Sequence, residues 1–266
     1  MQNKNSYKID LFQRAKQEMK ILEIRSHARI ESMIPQLTTL GLKPDMDVLE
    51  VGSGTGTRGM ELARYLKKGS LVGIDVSDSL LSHARLRLTR SKIRNMKLEK
   101  MDLFKLKFKP RSFDFIYMRL VVQHLSQPVL ALENLRSVLK PGGILFIEDT
   151  DRDWLTIYPA LPKWEKIYEE VKNSQLVKGG DPRSGRKLAT YLREAGYRSV
   201  DMNLVPVFGS GEIFEDWVNN YAPSFFNYFD KKAQNKNIRI LDDLKRVNAK
   251  TPIYLHQVWF QSWGKK

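Results

Sequence analysis

A glycine-rich loop is the segment of this sequence best suited to bind a small molecule. It reads Gly52-Ser-Gly-Thr-Gly56 and follows a short apolar run that contains Glu50. Glycines at every second position leave the backbone uncovered, so a ligand can lie directly against it. A predicted helix over residues 57–66 would add free N–H groups at its first turn. The pattern predicts a site for a nucleotide-type cofactor, with these loop contacts: Gly52, Ser53, Gly54, Thr55 and Gly56.

The loop by itself fits two classes of cofactor. Residues 54–59 also match the G-x-G-x-x-G pattern of dinucleotide-binding proteins, and Asp75 follows Gly54 by 21 positions, where such proteins carry an acid for the ribose. Glu50 favours the other class, because a carboxylate beside the loop repels a pyrophosphate and attracts an ammonium group. S-adenosylmethionine (SAM) carries an ammonium and a sulfonium group and no phosphate, so Glu50 and the loop together favour SAM.

Length and composition allow one α/β domain with insertions. The 266 residues include 42% apolar residues, enough for a sizeable core. Cysteine is absent, which excludes disulfides, zinc–thiolate sites and a cysteine nucleophile. No apolar run reaches the roughly 18 residues of a membrane span, and the start of the chain lacks the apolar core of a secretory signal. We therefore expect no membrane span and a cytoplasmic location.

The formal net charge of +15 would suit an acidic partner, such as a nucleic acid, an anionic membrane surface or a phosphorylated metabolite. The basic residues are spread along the chain, and the densest group runs from Arg85 to Arg111. This group is either a solvated face or an anion-binding surface, and the first interpretation is favoured. Nucleic acid is thus an unfavoured partner that the charge leaves open, and the oligomeric state is unknown.

Strands and helices alternate between residues 47 and 149. Predicted strands cover residues 47–51, 70–74, 96–101, 113–118 and 143–148, and predicted helices cover 57–66, 78–91 and 128–139. Short apolar strands joined by helices indicate an α/β, doubly wound, mostly parallel sheet with helices on both faces. Ligands of such sheets bind at the carboxyl ends of the strands. The residues at those ends are therefore the site candidates.

Asp75 closes the second predicted strand, with Val76 after it as a further contact. A carboxylate has two acceptor oxygens in one plane and can accept both hydroxyls of a ribose. The alternative is that Asp75 caps the next helix, but Ser77 or Asp78 suits that role better. The position therefore predicts a ribose contact.

Asp102 follows the third predicted strand and lies between Met101 and Leu103. Its carboxylate can accept from an adenine amino group while the Leu103 N–H reaches a ring nitrogen. The alternative is an ordinary turn aspartate. We predict that Met101, Asp102 and Leu103 all contact the cofactor.

Two basic residues follow the fourth predicted strand. Arg119 would turn its carbonyl to the reacting end of the cofactor, and its guanidinium would hold a carboxylate. The alternative is an ion pair with Asp149 or Asp151 across the sheet edge. His124 is a candidate catalytic base for a substrate hydroxyl or amine, although a packing role is the favoured interpretation for a histidine before an apolar residue and a helix.

Five motifs occur in order along the chain. They are Glu50-Val-Gly-Ser-Gly-Thr-Gly56, Asp75 at a strand end, Met101-Asp102, Phe113-Asp-Phe-Ile-Tyr117 and Leu139-Lys-Pro-Gly-Gly143. With these motifs the chain resembles the class I SAM-dependent methyltransferase family over residues 40–205. The glycine loop is moderately specific for this family, and the set of five is strong.

The resemblance implies roles for residues already singled out. In that family the residues matching Gly52, Gly54 and Gly56 approach the methionine part of SAM, the residue matching Asp75 holds the ribose, and the residue matching Asp102 meets adenine. The resemblance also implies seven strands, the last of them antiparallel, and the final two strands would cover residues 200–207 and 253–263.

More narrowly, the chain is similar to a bacterial branch of small-molecule methyltransferases that resembles the ubiquinone and menaquinone enzymes. The branch pattern falls on residues 119–125, 140–143, 148–151 and 179–186. The Asn/Asp-Pro-Pro-Tyr motif of amide-nitrogen DNA and protein methyltransferases is missing after the fourth strand. No histidine and carboxylate cluster has metal-ligand spacing, so we expect no metal.

Substrate contacts should come from segments outside the common sheet. We predict an N-terminal helical region (1–40) and a SAM-binding domain (41–266) with helical cap inserts at 154–180 and 213–237. The second insert is rich in aromatic residues, which either line an apolar pocket or form the core of the cap. Arg183 and Arg186, after the first insert, are candidates to hold an acidic substrate.

The sequence predicts direct in-line transfer of a methyl group from SAM to a small-molecule acceptor. Such a reaction needs alignment and exclusion of water above all, and a general base such as His124 is optional. Two alternatives remain: an NAD(P)-dependent oxidoreductase, from the pattern at residues 54–59, and a non-catalytic SAM-binding regulatory protein. An RNA acceptor is a less favoured variant of the first hypothesis.

Overall fold

The computed structural model describes the backbone of residues 15–266 and the side chains of residues 19–266. Eight strands form the sheet: β1 (Asp47–Val51), β2 (Ser70–Asp75), β3 (Met96–Lys100), β4 (Phe113–Arg119), β5 (Leu139–Thr150), β6 (Thr156–Tyr158), β7 (Arg198–Gly209) and β8 (Tyr254–Lys265). The α-helices are α1 (Ala15–His27), α2 (Ile30–Thr39), α3 (Thr57–Tyr65), α4 (Asp78–Thr89), α5 (Pro128–Val138), α6 (Pro162–Val177), α7 (Leu188–Glu194), α8 (Glu212–Asp216), α9 (Lys231–Asn237) and α10 (Ile240–Asn248).

The sheet has the order β3-β2-β1-β4-β5-β8-β6, and β7 also pairs with β8. Strands β1 to β5 are mutually parallel, whereas β8 is antiparallel to β5, β6 and β7. The predicted α/β sheet with an antiparallel last strand is confirmed. It has eight strands and not seven, because the three residues of β6 add a short pairing with the first residues of β8.

Two layers of apolar side chains cover the faces of the sheet. Along β4 and β5 successive side chains alternate between them, as the strand period of two requires. Phe115, Tyr117 and Phe146 lie in the layer under α2, α3 and α4, and Ile116 and Leu145 lie in the layer under α5 and α7. The central strands are therefore buried on both faces, which explains their continuous apolar character.

The cap has a separate hydrophobic core. It combines side chains from α6, including Trp164 and Tyr168, with Phe214, Trp217 and Phe226 from the segment between β7 and β8. The predicted amphipathic helix in the first insert corresponds to α6, whose buried side chains recur at three- and four-residue spacing. The two inserts thus share one core, although their division from the rest of the chain as domains stays a prediction.

The Lys140-Pro-Gly-Gly143 motif lies at the amino end of the sheet, away from the strand ends that bind ligands. Lys140 Nζ contacts Asp114 Oδ2 at 2.7 Å and Asp47 Oδ2 at 3.3 Å, and strand β5 begins at Leu139, before the predicted start. This motif therefore stabilises the start of three neighbouring strands.

The N-terminal region contains helices α1 and α2, as predicted, up to the limit of the described residues; residues 1–14 lie outside them. Side chains of α2 pack with those of α3 in the layer on one face of the sheet. In the described part of the chain, none of the helices has the length and apolar character needed to cross a bilayer.

Candidate functional site

The carboxyl ends of β1 to β5 open into one cavity of about 620 Å³. Because these strands are parallel, residues far apart in the sequence meet at this edge. The cavity is lined by the candidate base and by all but one of the residues predicted to contact the cofactor, namely Glu50, Gly52, Ser53, Gly54, Thr55, Asp75, Val76, Met101, Asp102, Leu103, Arg119 and His124. Their contacts with a cofactor stay predictions.

The glycine loop is held in place largely by its own N–H groups. Those of Gly52 and Ser53 donate to the Ile74 carbonyl at 2.9 and 3.0 Å, and that of Gly54 donates to Asp75 Oδ2 at 2.9 Å. Gly52 has φ 71°, and a Cβ there would lie 2.5 Å from Val121 Cγ2. The bare backbone, and not these N–H groups, is what the loop offers to a ligand.

Gly56 does not line the cavity, unlike the other residues of the loop. It precedes α3 with φ 74°, and a Cβ there would lie 3.1 Å from Ala84 Cβ in α4. Its N–H donates to the Ser53 carbonyl at 2.8 Å. The need for glycine at this position is therefore explained by the turn into α3 and its packing on α4.

Arg87 supports the glycine loop from α4. Its Nη1 donates to the Thr55 carbonyl at 2.9 Å and to Thr57 Oγ1 at 2.6 Å, and its Nε lies 3.3 Å from Glu23 Oε1 of α1. Arg87 belongs to the dense basic group noted in the sequence. At least this member of the group has a structural role that needs no acidic partner molecule.

Glu50 is the most unusual acidic group of the site. The residue is 4% exposed, and burial raises the pKa of its carboxyl to about 8, with Arg58 as the main opposing charge. Its Oε2 has no hydrogen-bond partner among the described residues. Since a buried oxygen without a partner is costly, a ligand with an ammonium group fits this position. The residues present therefore suit SAM.

Asp75 both fixes the loop and faces the cavity. Its Oδ2 accepts from Gly54, and its Oδ1 accepts from the Ser77 N–H at 2.9 Å. Of the two residues that the sequence offered as the cap of α4, Ser77 and Asp78, it is Ser77 that caps the helix, because its Oγ accepts from the Leu80 N–H at 3.3 Å. Each carboxylate oxygen can accept two hydrogen bonds, so these contacts are compatible with the predicted ribose role.

Asp102 lies in the turn after β3. Its Oδ1 accepts from the Phe104 N–H at 2.9 Å, which is the contact expected of a turn aspartate. The side chain is exposed and lines the cavity between the buried residues Met101 and Leu103. The turn role is thus observed, and the adenine contact remains a prediction beside it.

Arg119 has a different partner from the two that the sequence suggested. Its Nε donates to Glu148 Oε1 at 2.7 Å, and its guanidinium lies over the Trp259 ring at 4.7 Å. Arg119 and Glu148 are register partners on β4 and β5, which places the side chains together. Asp149 instead accepts from the Gln123 N–H, and Asp151 pairs with Arg186. The guanidinium of Arg119 therefore already holds a carboxylate of the chain.

Arg183 and Arg186 also pair within the chain. Arg186 contacts Asp151 through Nε and Nη2 at 2.5 and 2.7 Å, and both arginines contact Asp153 Oδ2. Neither lines the cavity. The expectation that they hold an acidic substrate is wrong for this structure, because their charge is compensated by these aspartates.

His124 lies in the helical turn Val122–His124 at the cavity. Its ring stacks on Tyr228 with centroids 6.3 Å apart, and its Nδ1 lies 3.3 Å from the Tyr228 hydroxyl. Burial, together with the charges of Arg152 and Arg25, lowers the pKa of His124 to about 3. The imidazole is neutral near pH 7 and can accept a hydrogen bond, but so low a pKa makes it a weak base.

The aromatic insert mainly forms the core of the cap. Phe214, Trp217 and Phe226 are buried in that core. Of the seven aromatic residues in the insert at 213–237, only Tyr228 lines the cavity. Tyr221 and Phe225 line a much smaller adjacent cavity. The packing interpretation therefore applies to most of this segment, and pocket lining applies to its end.

Sequence reasoning identified Arg119 but missed the other three arginines that line the cavity. Arg25 comes from α1, Arg58 from the first turn of α3 and Arg152 from the turn after β5. Arg58 directly follows the glycine loop, which was a usable signal. Nothing in the sequence distinguishes Arg25 or Arg152 from the other basic residues, since their position depends on the packing of the cap.

Comparisons with known proteins agree with this geometry. The family model described as "Methyltransferase domain" matches residues 42–196. An uncharacterised methyltransferase of Schizosaccharomyces pombe is 31% identical over 156 residues, which cover 56% of this chain and 56% of that protein. Demethylmenaquinone methyltransferase of Staphylococcus aureus is 28% identical over 130 residues, 48% of this chain and 51% of that protein. The chain thus spans about half the length of these curated relatives.

Solved structures show the same fold. The crystal structure of a SAM-dependent methyltransferase from Aquifex aeolicus is similar with a TM-score of 0.54 and 26% sequence identity, over 71% of this chain and 91% of that one. The family model covers more than half of the present chain. The chain therefore belongs to the class I SAM-dependent methyltransferase family.

Proposed function

We propose that the chain transfers a methyl group from SAM to a small-molecule acceptor. The observation that supports this best is Glu50, a buried carboxyl group with one unpartnered oxygen beside an uncovered glycine backbone. A cofactor with an ammonium group and no phosphate suits this position, because a bound cation stabilises the ionised carboxylate and a pyrophosphate would not.

The cofactor would lie along the ends of β1, β2 and β3. Glu50 would face its ammonium group, and residues 52–55 would lie against its methionine part. Asp75 would accept the ribose hydroxyls, Asp102 the adenine amino group, and the Leu103 N–H would reach a ring nitrogen, with Val76 and Met101 packing beside the cofactor. Arg58, buried near Glu50, is placed to face the cofactor's carboxylate.

When bound, the cofactor supplies a methyl group on a sulfonium centre. The neutral thioether that remains after methyl transfer is a good leaving group. The chain contributes mainly by aligning the acceptor and excluding water, since α1 and the end of the aromatic insert border the cavity. His124 is the candidate to take the acceptor's proton. Because its pKa is about 3, we expect this contribution to be smaller than that of alignment.

The experiment is a titration calorimetry series with SAM, S-adenosylhomocysteine, NAD and NADP, followed by an assay for S-adenosylhomocysteine release with fractionated metabolite extracts. We expect the first two ligands to bind, the nicotinamide cofactors not to bind, and at least one fraction to support turnover. Failure of SAM to bind would contradict the proposal. Binding without turnover in every fraction would favour a non-catalytic SAM-binding protein.

Two finer predictions belong to the same proposal. The acceptor belongs to the small-molecule class of the bacterial branch, and not to RNA. RNA affinity that falls steeply with added salt would instead support the electrostatic RNA variant. The cytoplasmic location expected from the sequence is testable by cell fractionation.

A further inference from the structure

The charged residues that line the cavity are divided between its two halves. The acids Glu50, Asp75 and Asp102 lie at the ends of β1, β2 and β3. Three of the four lining arginines lie on the other half: Arg119 ends β4, Arg152 follows β5, and Arg25 reaches in from α1. The fourth, Arg58, lies on the cofactor half near Glu50. The half beside the cap therefore has no lining acid among the described residues.

Arg152 is the strongest sign of a missing anion in that half. It is 7% exposed, its Nε donates to Gln175 Oε1 at 2.6 Å, and its guanidinium lies over the rings of Phe225 and Tyr228 at 4.6 and 5.4 Å. Among residues 19–266, no carboxylate lies within 4 Å of it. A buried cation whose partners are all neutral is less well stabilised than one with a counter-ion, because neutral partners offset only part of the cost of its desolvation.

Arg119 in the cavity and Arg186 outside it are both compensated by carboxylates of the chain. Arg119 pairs with Glu148, and Arg186 pairs with Asp151. Arg58 lies near Glu50 on the cofactor side, where the proposed cofactor brings one carboxylate of its own. That single carboxylate cannot also serve Arg152, whose contacts are with α6 and the aromatic insert.

The surroundings of Arg152 form a coherent subsite. Arg25 Nη1 donates to Ser224 Oγ at 2.9 Å, and its guanidinium lies 5.4 Å from the Tyr221 ring centroid. Tyr228 lies between Arg152 and His124, in contact with both. Two cations and an aromatic wall thus meet beside the imidazole that is the candidate proton acceptor.

We propose that Arg152, with Arg25 beside it, binds an anionic group of the methyl acceptor, a carboxylate or a phosphate, while Tyr228 contacts the acceptor's apolar body. Arginine suits both anions because its planar N–H groups match their oxygens. This inference rests on the proposed methyl transfer and narrows its acceptor to an anionic small molecule. A neutral quinone-like acceptor would leave Arg152 uncompensated.

The test uses the full chain saturated with S-adenosylhomocysteine and three probes of similar size: benzoate, phenyl phosphate and the neutral benzamide. In the wild type we expect benzoate or phenyl phosphate to bind at least about tenfold tighter than benzamide, as a charge-assisted contact would give. Tighter binding of benzoate would indicate a carboxylate site, and tighter binding of phenyl phosphate would indicate a phosphate site.

Variants then assign the preference to Arg152. R152M should reduce the preference to within about twofold, R152K should retain part of it, and the exposed control R64M should not change it. The affinity of R152M for S-adenosylhomocysteine should stay within about threefold of wild type, which also shows that the variant is folded.

Three results would overturn the inference. They are equal binding of benzamide and the anions, an unchanged preference in R152M, and a loss of S-adenosylhomocysteine affinity in R152M as large as its loss of anion binding. Failure of the wild type to bind S-adenosylhomocysteine at all would overturn the proposed function, and the inference with it.

Discussion

The two halves of the cavity are built in different ways. The cofactor half comes from residues 50–103, where each contact follows directly from the end of a strand or from the glycine loop. The acceptor half combines α1, the ends of β4 and β5 and the end of the aromatic insert; Arg25 and Ser224, in contact there, are 199 positions apart. The first half depends on the sheet alone, and the second exists only when the cap core has formed.

The halves also differ in charge. The acids on the cofactor half suit a cationic ligand, and the arginines on the other half suit an anion. One cavity can therefore bind two ligands of opposite charge, the cation in the cofactor half and the anion in the acceptor half. The following predictions test whether the halves are separable.

The largest effect is expected from W217A. Trp217 is 2% exposed in the cap core, so its removal should lower the stability of the cap by about 3–5 kcal/mol. Hydrogen exchange in residues 214–228 measures this loss. SAM affinity should stay within about threefold, because the cofactor half does not include the cap. The control W154A removes a side chain of a residue that is 46% exposed and should have little effect on cap stability. A loss of SAM binding in W217A that parallels the loss of cap stability would show that the halves are not separable.

The next effect is expected from E50Q. Replacing the carboxylate proposed to face the ammonium group should weaken SAM binding roughly 100-fold at pH 8.5, or about 3 kcal/mol, within the range for a buried charged pair. Titration calorimetry measures this change. The exposed Glu61 of α3, changed in E61Q, is the matched control. Equal SAM affinity in E50Q and wild type would remove Glu50 from the site.

The pH dependence of SAM affinity tests the same group. With a pKa of about 8, Glu50 is mostly protonated at pH 6 in the unliganded protein, and a bound cation lowers that pKa. Binding therefore releases a proton, and affinity should rise by about tenfold or more from pH 6 to pH 8 and then level off. E50Q should show a flat profile. A wild-type profile that is flat, or that falls over this range, would contradict the assignment.

A smaller effect is expected from R87M. Loss of the two hydrogen bonds to Thr55 and Thr57 should loosen the glycine loop and weaken SAM binding about tenfold, or about 1.4 kcal/mol. The exposed Arg90, which directly follows the same helix and is changed in R90M, is the control. The affinity of R87M for benzoate, phenyl phosphate and benzamide should equal that of the wild type once R87M is saturated with S-adenosylhomocysteine.

The smallest effect is expected from H124A. Because the pKa of His124 is about 3, its imidazole is neutral throughout pH 6–9 and is a weak base. We expect kcat to fall by no more than about threefold at any pH in this range. A drop of 100-fold or more, or a new pH dependence, would show that His124 takes the proton in the reaction. H124N is the control for loss of volume.

Much of the fold could be predicted from the sequence. The first four strands and three helices lie within two residues of their predicted ends, because alternating apolar runs and turn residues act over short distances. The extra strand β6 could not be predicted, since only Ile157 of its three residues is buried and its pairing with β8 depends on a strand almost 100 residues later. The early start of β5 reflects the contacts of Lys140 with neighbouring strands.

The site shows the same division. The placement of Glu50, Asp75 and Asp102 in the cavity follows from strand ends in a parallel sheet. The partner of Arg119 could be identified only from the register of β4 and β5. That register places Glu148 opposite Arg119, and Asp149 and Asp151 come further along the chain. The sequence predicted that Gly56 contacts the ligand. In the structure the space beside Gly56 is occupied by Ala84 of α4, and no local sequence pattern specifies this packing contact.

The sequence by itself determined the sheet, the glycine loop, the cap of α4 by Ser77 and the acidic half of the cavity. These features depend on backbone preferences and apolar periodicity over a few residues. Only the tertiary structure decided which of the many basic residues face the cavity and which are neutralised. The sequence singled out Arg186 and not Arg152, but Arg186 pairs with Asp151, whereas Arg152 lies over two aromatic rings and lines the cavity. That difference arises because long-range packing of the cap sets which charges lose water and which find a counter-ion.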